Sequence, residues 1–115
     1  MKLLEGIQAF GSQTFKTNID NGESVTITLN FKPSIKMWFI DLEYKDFKAN
    51  GIRVCNSTNL LRQFEKILPF GLNVSVSDNG EPFIINDFTT KRVRLGILTI
   101  NEVLQINQAY EDAKI

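Results

Sequence analysis

The sequence predicts a mainly β protein, a small antiparallel barrel or sandwich with one short helix. Three observations carry that expectation. Large apolar side chains recur with period two in four separate runs. Asp-Asn-Gly occurs at 20–22 and again at 78–80, and Asn-Gly readily takes the positive φ angles of a type I′ hairpin turn. Only one internal segment switches to helical spacing. Strands of this length joined by tight turns suit a small all-β architecture.

Taken in order, QTFKTNI reads as a first, weaker strand running into Asp20-Asn21-Gly22. In SVTITLNF, Val25, Ile27, Leu29 and Phe31 share one face, with Ser24, Thr26, Thr28 and Asn30 on the other. MWFIDLEYKD then places Trp38, Ile40, Leu42 and Tyr44 together, opposite Met37, Phe39, Asp41, Glu43 and Lys45. Asn50-Gly51 separates two shorter strands, the second being IRV. In STNLLRQFEKILP, Leu60, Leu61, Phe64, Ile67 and Leu68 recur at helical spacing; Ser57 or Thr58 can cap the start and Pro69 ends the run. A helix near 58–68 is therefore expected to plug one end or face. LNVSVS adds Leu72, Val74 and Val76, and KRVRLGILTI adds Val93, Leu95 and Ile97. The final NEVLQINQAYEDAKI fits either a strand edge followed by a short helix, or a loose tail. The expected core is Trp38, Ile40, Leu42, Val25, Ile27, Leu29, Val74, Val76, Leu60 and Phe64.

Composition narrows the function. The chain's 115 residues fit one β domain, 1–115, with its core over about 13–103. Thirteen basic residues balance thirteen acidic ones, whereas a nucleic-acid binder normally shows a basic excess. No apolar run approaches the roughly 20 residues that cross a bilayer, and Glu5 and Gly6 come too early for a secretory h-region. The single cysteine, Cys55, forms no internal disulfide and fits a reducing compartment. Histidine is absent, which removes the commonest general base and metal ligand together.

Asp41 and Glu43 lie on one strand face about 7 Å apart, a separation that suits glycosidase carboxylates. An alternating strand with one buried face must nevertheless place polar residues on the other, and Lys45 continues that row. The pair reads as a solvated or partner-facing surface. Cys55 reads as a small buried hydrophobe, and the Asn56-Ser57-Thr58 sequon as a helix cap. No catalytic, cofactor-binding or metal-ligating residue is expected, and no cofactor, small-molecule substrate or membrane. Lys91, Arg92 and Arg94 form the one dense basic group. They read as a charged edge strand or as a contact to a partner or phosphate. With nine phenylalanines, an OB- or SH3-like nucleic-acid module is one rival reading, and a small non-enzymatic adaptor is another.

Several fragments also form an ordered series: Gln13-Thr14-Phe15, Trp38-x-Ile40-Asp41-Leu42, Asn50-Gly51-Ile52, Asn59-Leu60-Leu61 and Pro69-Phe70-Gly71-Leu72. Asp78-Asn79-Gly80-x-Pro82, Asp87-Phe88 and Arg92-Val93-Arg94-Leu95-Gly96-Ile97-Leu98 follow, with Glu102 shortly after. This series resembles the small plug-like baseplate proteins of contractile-tailed bacteriophages, which include a cyanophage baseplate plug. The resemblance covers roughly residues 13–103. The two ends have no placed counterpart, and Gly96-Ile97 stands where the family commonly has Tyr.

The resemblance implies a structural protein of the virion tail baseplate, made in the host cytoplasm. It would pack with the hub below the tail tube and help close or organise its bore. Hub, tail-tube and spike proteins are the implied partners, together with copies of itself in a ring of threefold or sixfold order around the tail axis. The apolar ends supply candidate contacts: Leu4, Ile7 and Phe10 at one end, Leu104, Ile106 and Tyr110 at the other, with Arg92 and Arg94 between. The alternative is that part of each end completes the core.

Overall fold

Alternation of apolar and polar residues produces two antiparallel sheets with their apolar faces turned to one another. The computed structural model describes residues 1–113, and of these the side chains of 110, 112 and 113 lie outside the description. In chain order the elements are β1 (Lys2–Leu3), β2 (Ser12–Asn18), β3 (Ser24–Lys32), β4 (Met37–Tyr44), β5 (Phe47–Arg53), a 3₁₀ turn at Arg62–Phe64, β6 (Gly71–Val76), β7 (Val93–Leu98) and α1 (Ile100–Ala113). One sheet is the meander β2-β3-β4-β5; the other has the order β1-β7-β6. Between them lie Val25, Ile27 and Leu29 from β3, Trp38, Ile40 and Leu42 from β4, Val74 and Val76 from β6, and Leu95 from β7, all buried. The faces expected of these strands are the faces observed.

The sandwich does not close into a barrel, and irregular segments cover its two open sides. On one side residues 1–11 form a strap between β7 and β2. The Leu4 N–H donates to the Leu95 carbonyl at 2.8 Å, Lys2 Nζ donates to Thr17 Oγ1 at 3.1 Å, and the Gln13 side-chain amide accepts from the Gln8 N–H and donates to the Gln8 carbonyl. The Phe31 N–H donates to the Gly11 carbonyl at 2.8 Å. On the other side, Val54 donates to the Trp38 carbonyl and Ser57 bridges to Val74.

Three local expectations are corrected. Residues 58–68 hold only a 3₁₀ turn, not an α-helix. Before it, the chain lies along β6, with Leu60 N–H donating to Leu72 O at 2.6 Å. Asn59 Oδ1 accepts from Leu61 N–H at 3.0 Å and Leu72 N–H at 3.1 Å, so an Asx turn ties the start of this segment to β6. Consequently Leu61 and Leu68 are buried, Leu60 and Phe64 are only half-buried, and Ile67 is exposed. Asn50-Gly51 does not separate two strands: it is a bulge inside β5, where the β4–β5 register shifts between Ile40 and Leu42 and Gly51 has φ +71°. The two Asp-Asn-Gly turns also differ from type I′. Gly22 alone takes positive φ in the first, a three-residue loop between Ile19 and Glu23. The second, with Asn79 at φ +60°, opens a long excursion over 77–92 before β7 returns alongside β6.

Candidate functional site

The carboxylates of β4 serve the strand itself. Asp41 Oδ1 accepts the Gly51 N–H at 2.8 Å, and Oδ2 accepts from Asn30 Nδ2 at 3.2 Å. The bulge leaves Gly51 without a ladder partner, and the side chain opposite supplies one. Glu43 faces Lys48 across the strand pair, with their charged groups 3.5 Å apart. Among the described residues no group of three or more His, Cys, Asp or Glu is placed to hold a metal ion. Cys55 is partly buried, and burial followed by the nearby Glu81 charge raises its thiol above the ordinary value, which leaves little reactive thiolate.

The N-terminal candidates separate. Ile7 is buried in the core, Leu4 packs against it half-buried, and Phe10 is exposed. A cleft of about 480 Å³ runs beside the strap, lined on its other wall by Phe88, Lys91, Val93 and Arg94. Arg94 points outward from β7 into this cleft, whereas Arg92 is turned into the molecule.

Arg92 belongs to an arrangement centred on a buried carboxylate, Asp87. Asp87, 1% exposed, accepts the Phe83 N–H at 2.7 Å and the Ile84 N–H at 2.8 Å through Oδ2. Its Oδ1 accepts from Arg92 Nη1 at 3.0 Å, and Arg92 also forks onto Asp78. The Gly80 N–H and then Arg92 hold the Asp78 carboxyl below its ordinary value, while Asp78 raises the guanidinium. Trp38 Nε1 donates to the Ile84 carbonyl at 3.1 Å. The backbone of 83–84 therefore faces inward, and Phe83, Ile84 and Ile85 are all left exposed. The Arg92 guanidinium lies 4.8 Å from the Phe83 ring centroid.

At the other end, α1 starts with reciprocal caps. The Thr99 N–H donates to Glu102 Oε1 at 3.0 Å, and the Glu102 N–H donates to Thr99 Oγ1 at 3.2 Å, the capping box that Thr-x-x-Glu encodes. That tetrad was the available signal for this helix. The Met1 amino group lies 2.7 Å from Glu102 and, with the Thr99 N–H, holds its carboxyl below the ordinary value. Val103 is buried and Ile106 half-buried, but Leu104 is 58% exposed. The Tyr110 side chain lies outside the described residues.

The family model described as cyanophage baseplate Pam3 plug gp18 matches residues 1–100. The chain belongs to this baseplate plug family. No curated protein matches it. The plug-family match takes in both sheets and the 77–92 excursion, and it stops where α1 begins. It also includes the strap, which the sequence fragments left without a counterpart. Gly96, the departure noted in the last strand, is buried beneath the N-terminus. A Cβ there would meet Met1 Sδ at 2.7 Å and Leu3 Cδ2 at 3.5 Å, so the strap occupies the space a larger side chain would need.

Proposed function

We propose that this plug-family protein is a non-enzymatic structural part of a phage tail baseplate that packs with the hub beneath the tail tube and helps close or organise its bore. The match over residues 1–100 carries this reading. The geometry is compatible with it, since Asp41 and Glu43, the pair that suggested chemistry, are engaged in cross-strand contacts. Hub, tail-tube and spike proteins are the proposed neighbours, with copies of the chain arranged in a ring around the tail axis. Exposed Phe10 and Leu104 are the proposed contact residues among the terminal candidates, together with Arg94. Ile7 and Leu4 support the strap against the core, and Arg92 supports the excursion.

The test is assembly. Deleting residues 104–115 should leave the two sheets folded and lower incorporation into tails. Purified tails that lack the full-length protein altogether would refute the baseplate reading. Salt-sensitive binding to single-stranded nucleic acid would favour the rival module instead.

A further inference from the structure

The cleft between the strap and the excursion lies where β7 loses its strand neighbour. β1 pairs with Gly96 and Ile97, and the Leu4 N–H still reaches the Leu95 carbonyl. Beyond Gly6, at φ +80°, the strap no longer pairs with β7, so Val93 and Arg94 have no strand on that side. The Val93 N–H donates to the Asp87 carbonyl at 3.0 Å. Its own carbonyl points to the same side of the strand and is the acceptor that an incoming backbone N–H would use. At about 480 Å³ the cleft falls within the usual range of concave binding sites, roughly 300–1,000 Å³.

Its walls are apolar and its cations are unpaired. Ile7, Phe88 and Val93 line it, and Phe88 is held edge-on against Trp38 with ring centroids 5.1 Å apart. Lys91 and Arg94 line it too, both exposed, and among the described residues neither makes an ion pair. Acids on the neighbouring segments are already engaged, Asp78 and Asp87 by Arg92 and Glu102 by the Met1 amino group. Among the described residues Glu5 is the one carboxylate in the lining. Two free cations beside an apolar wall select an anionic ligand that also carries apolar groups. A nucleic acid fits less well, because its affinity comes from many neutralised phosphates and Glu5 would repel them.

We propose that this cleft binds an extended acidic segment of a partner protein, laid along the open edge of β7 with carboxylates on Lys91 and Arg94 and an apolar side chain against Phe88. The inference deepens the contact role given to Arg94 and rests on the baseplate reading only for where the partner is found. Lys91 adopts φ +62°, a left-handed conformation that suits glycine or asparagine better than lysine. The backbone there gives no reason for a lysine, and Lys91→Asn removes the charge without disturbing the turn.

The experiment uses the purified full-length chain and short end-capped peptides labelled with fluorescein, one a Glu-Leu repeat and one a Gln-Leu repeat of equal length. Anisotropy should show the first binding several times more tightly than the second, and amide NMR shifts should move in residues 4–8 and 88–94. Lys91→Asn and Arg94→Gln should each weaken binding by roughly two- to fivefold, the size of an exposed ion pair, and together by about tenfold. Lys48→Gln, on the far edge strand β5, should change nothing. Equal affinity for the two peptides, an equal loss with Lys48→Gln, or shifts confined to other residues would overturn the proposal. So would displacement of the peptide by oligothymidylate at a lower concentration than by unlabelled Glu-Leu peptide, which would mark a phosphate site. If a variant fails to fold, the shift map of the parent chain decides alone. Binding in the cleft by a chain that tails lack would refute the baseplate reading and leave the cleft standing. No peptide binding by a chain that tails contain would overturn the cleft and leave that reading standing.

Discussion

Asp41 accepts the Gly51 N–H at 2.8 Å at the point where the β4–β5 register shifts. Its neighbour on the same face, Glu43, makes only an exposed ion pair with Lys48. The two carboxylates should therefore respond differently to substitution. Asp41→Ala should cost about 1.5–3 kcal/mol, the range for a hydrogen bond to a charged group. Glu43→Gln should stay within about 0.5 kcal/mol. Urea unfolding of both variants measures the contrast, and equal losses would contradict the role given to Asp41.

Asp87 is the sharper case. Its carboxylate is buried and satisfies two backbone donors and Arg92 together. Asp87→Ala leaves all of them without that acceptor and should cost about 3–5 kcal/mol, as when one partner of a buried pair is removed. Because Trp38 bonds the same loop through Ile84, its fluorescence should also change in the folded variant. A loss below about 1 kcal/mol would show that the excursion holds its shape without Asp87.

How much of this was legible in the sequence follows from the length of each pattern. β3, β4, β6 and β7 alternate for long enough that period two fixes their faces. Residues 58–68 imitate a helix, because Leu60, Leu61, Phe64, Ile67 and Leu68 have its spacing while Asn59 and the edge of β6 take the chain elsewhere. The true helix was announced by Thr99-x-x-Glu102 but lacks a broad apolar stripe. The strap has no period at all, so the burial of Ile7 depends on contacts distant in sequence. Asp87 lies in a segment without alternation, so no spacing marks it as a buried carboxylate.

Acid should destabilise the fold. Glu102 is held below its ordinary pKa by the Met1 amino group, Glu23 by Lys45 and then Tyr44, and Asp78 by the Gly80 N–H and then Arg92. Each lowered carboxyl binds its proton more readily in the unfolded chain. The stability they contribute is present above the ordinary carboxylate range, about pH 4–5, and is lost as pH falls through the lowered folded values. Thermal midpoints measured from pH 7 downward should fall across that window. Glu102→Gln should flatten part of the decline, and an unchanged profile would exclude a contribution from the helix cap.

Two glycines should respond differently to alanine. A Cβ on Gly71 would meet Asn59 Oδ1 at 2.6 Å, an atom fixed by two backbone donors. Gly71→Ala should cost about 1–3 kcal/mol, as overpacking does. At Gly96 the nearest atoms belong to the Met1 side chain, which can swing aside. Gly96→Ala should therefore be the milder change in a chemical denaturation series, and the reverse order would refute this account.

The pairing of Leu3 with Gly96 has a consequence for biogenesis. β2 to β5 form a meander of local hairpins that can assemble while the rest of the chain is still being synthesised. The strap has no such freedom: its partners on β7 are among the last strand residues to emerge, and closing a loop of that span is a slow, entropically opposed step. Until then Leu4 and Ile7 lack their cover, and one side of the nascent sandwich stays open. A ribosome stalled before Val93 should thus carry a chain with hydrogen-exchange protection in β3 and β4 and none in the strap.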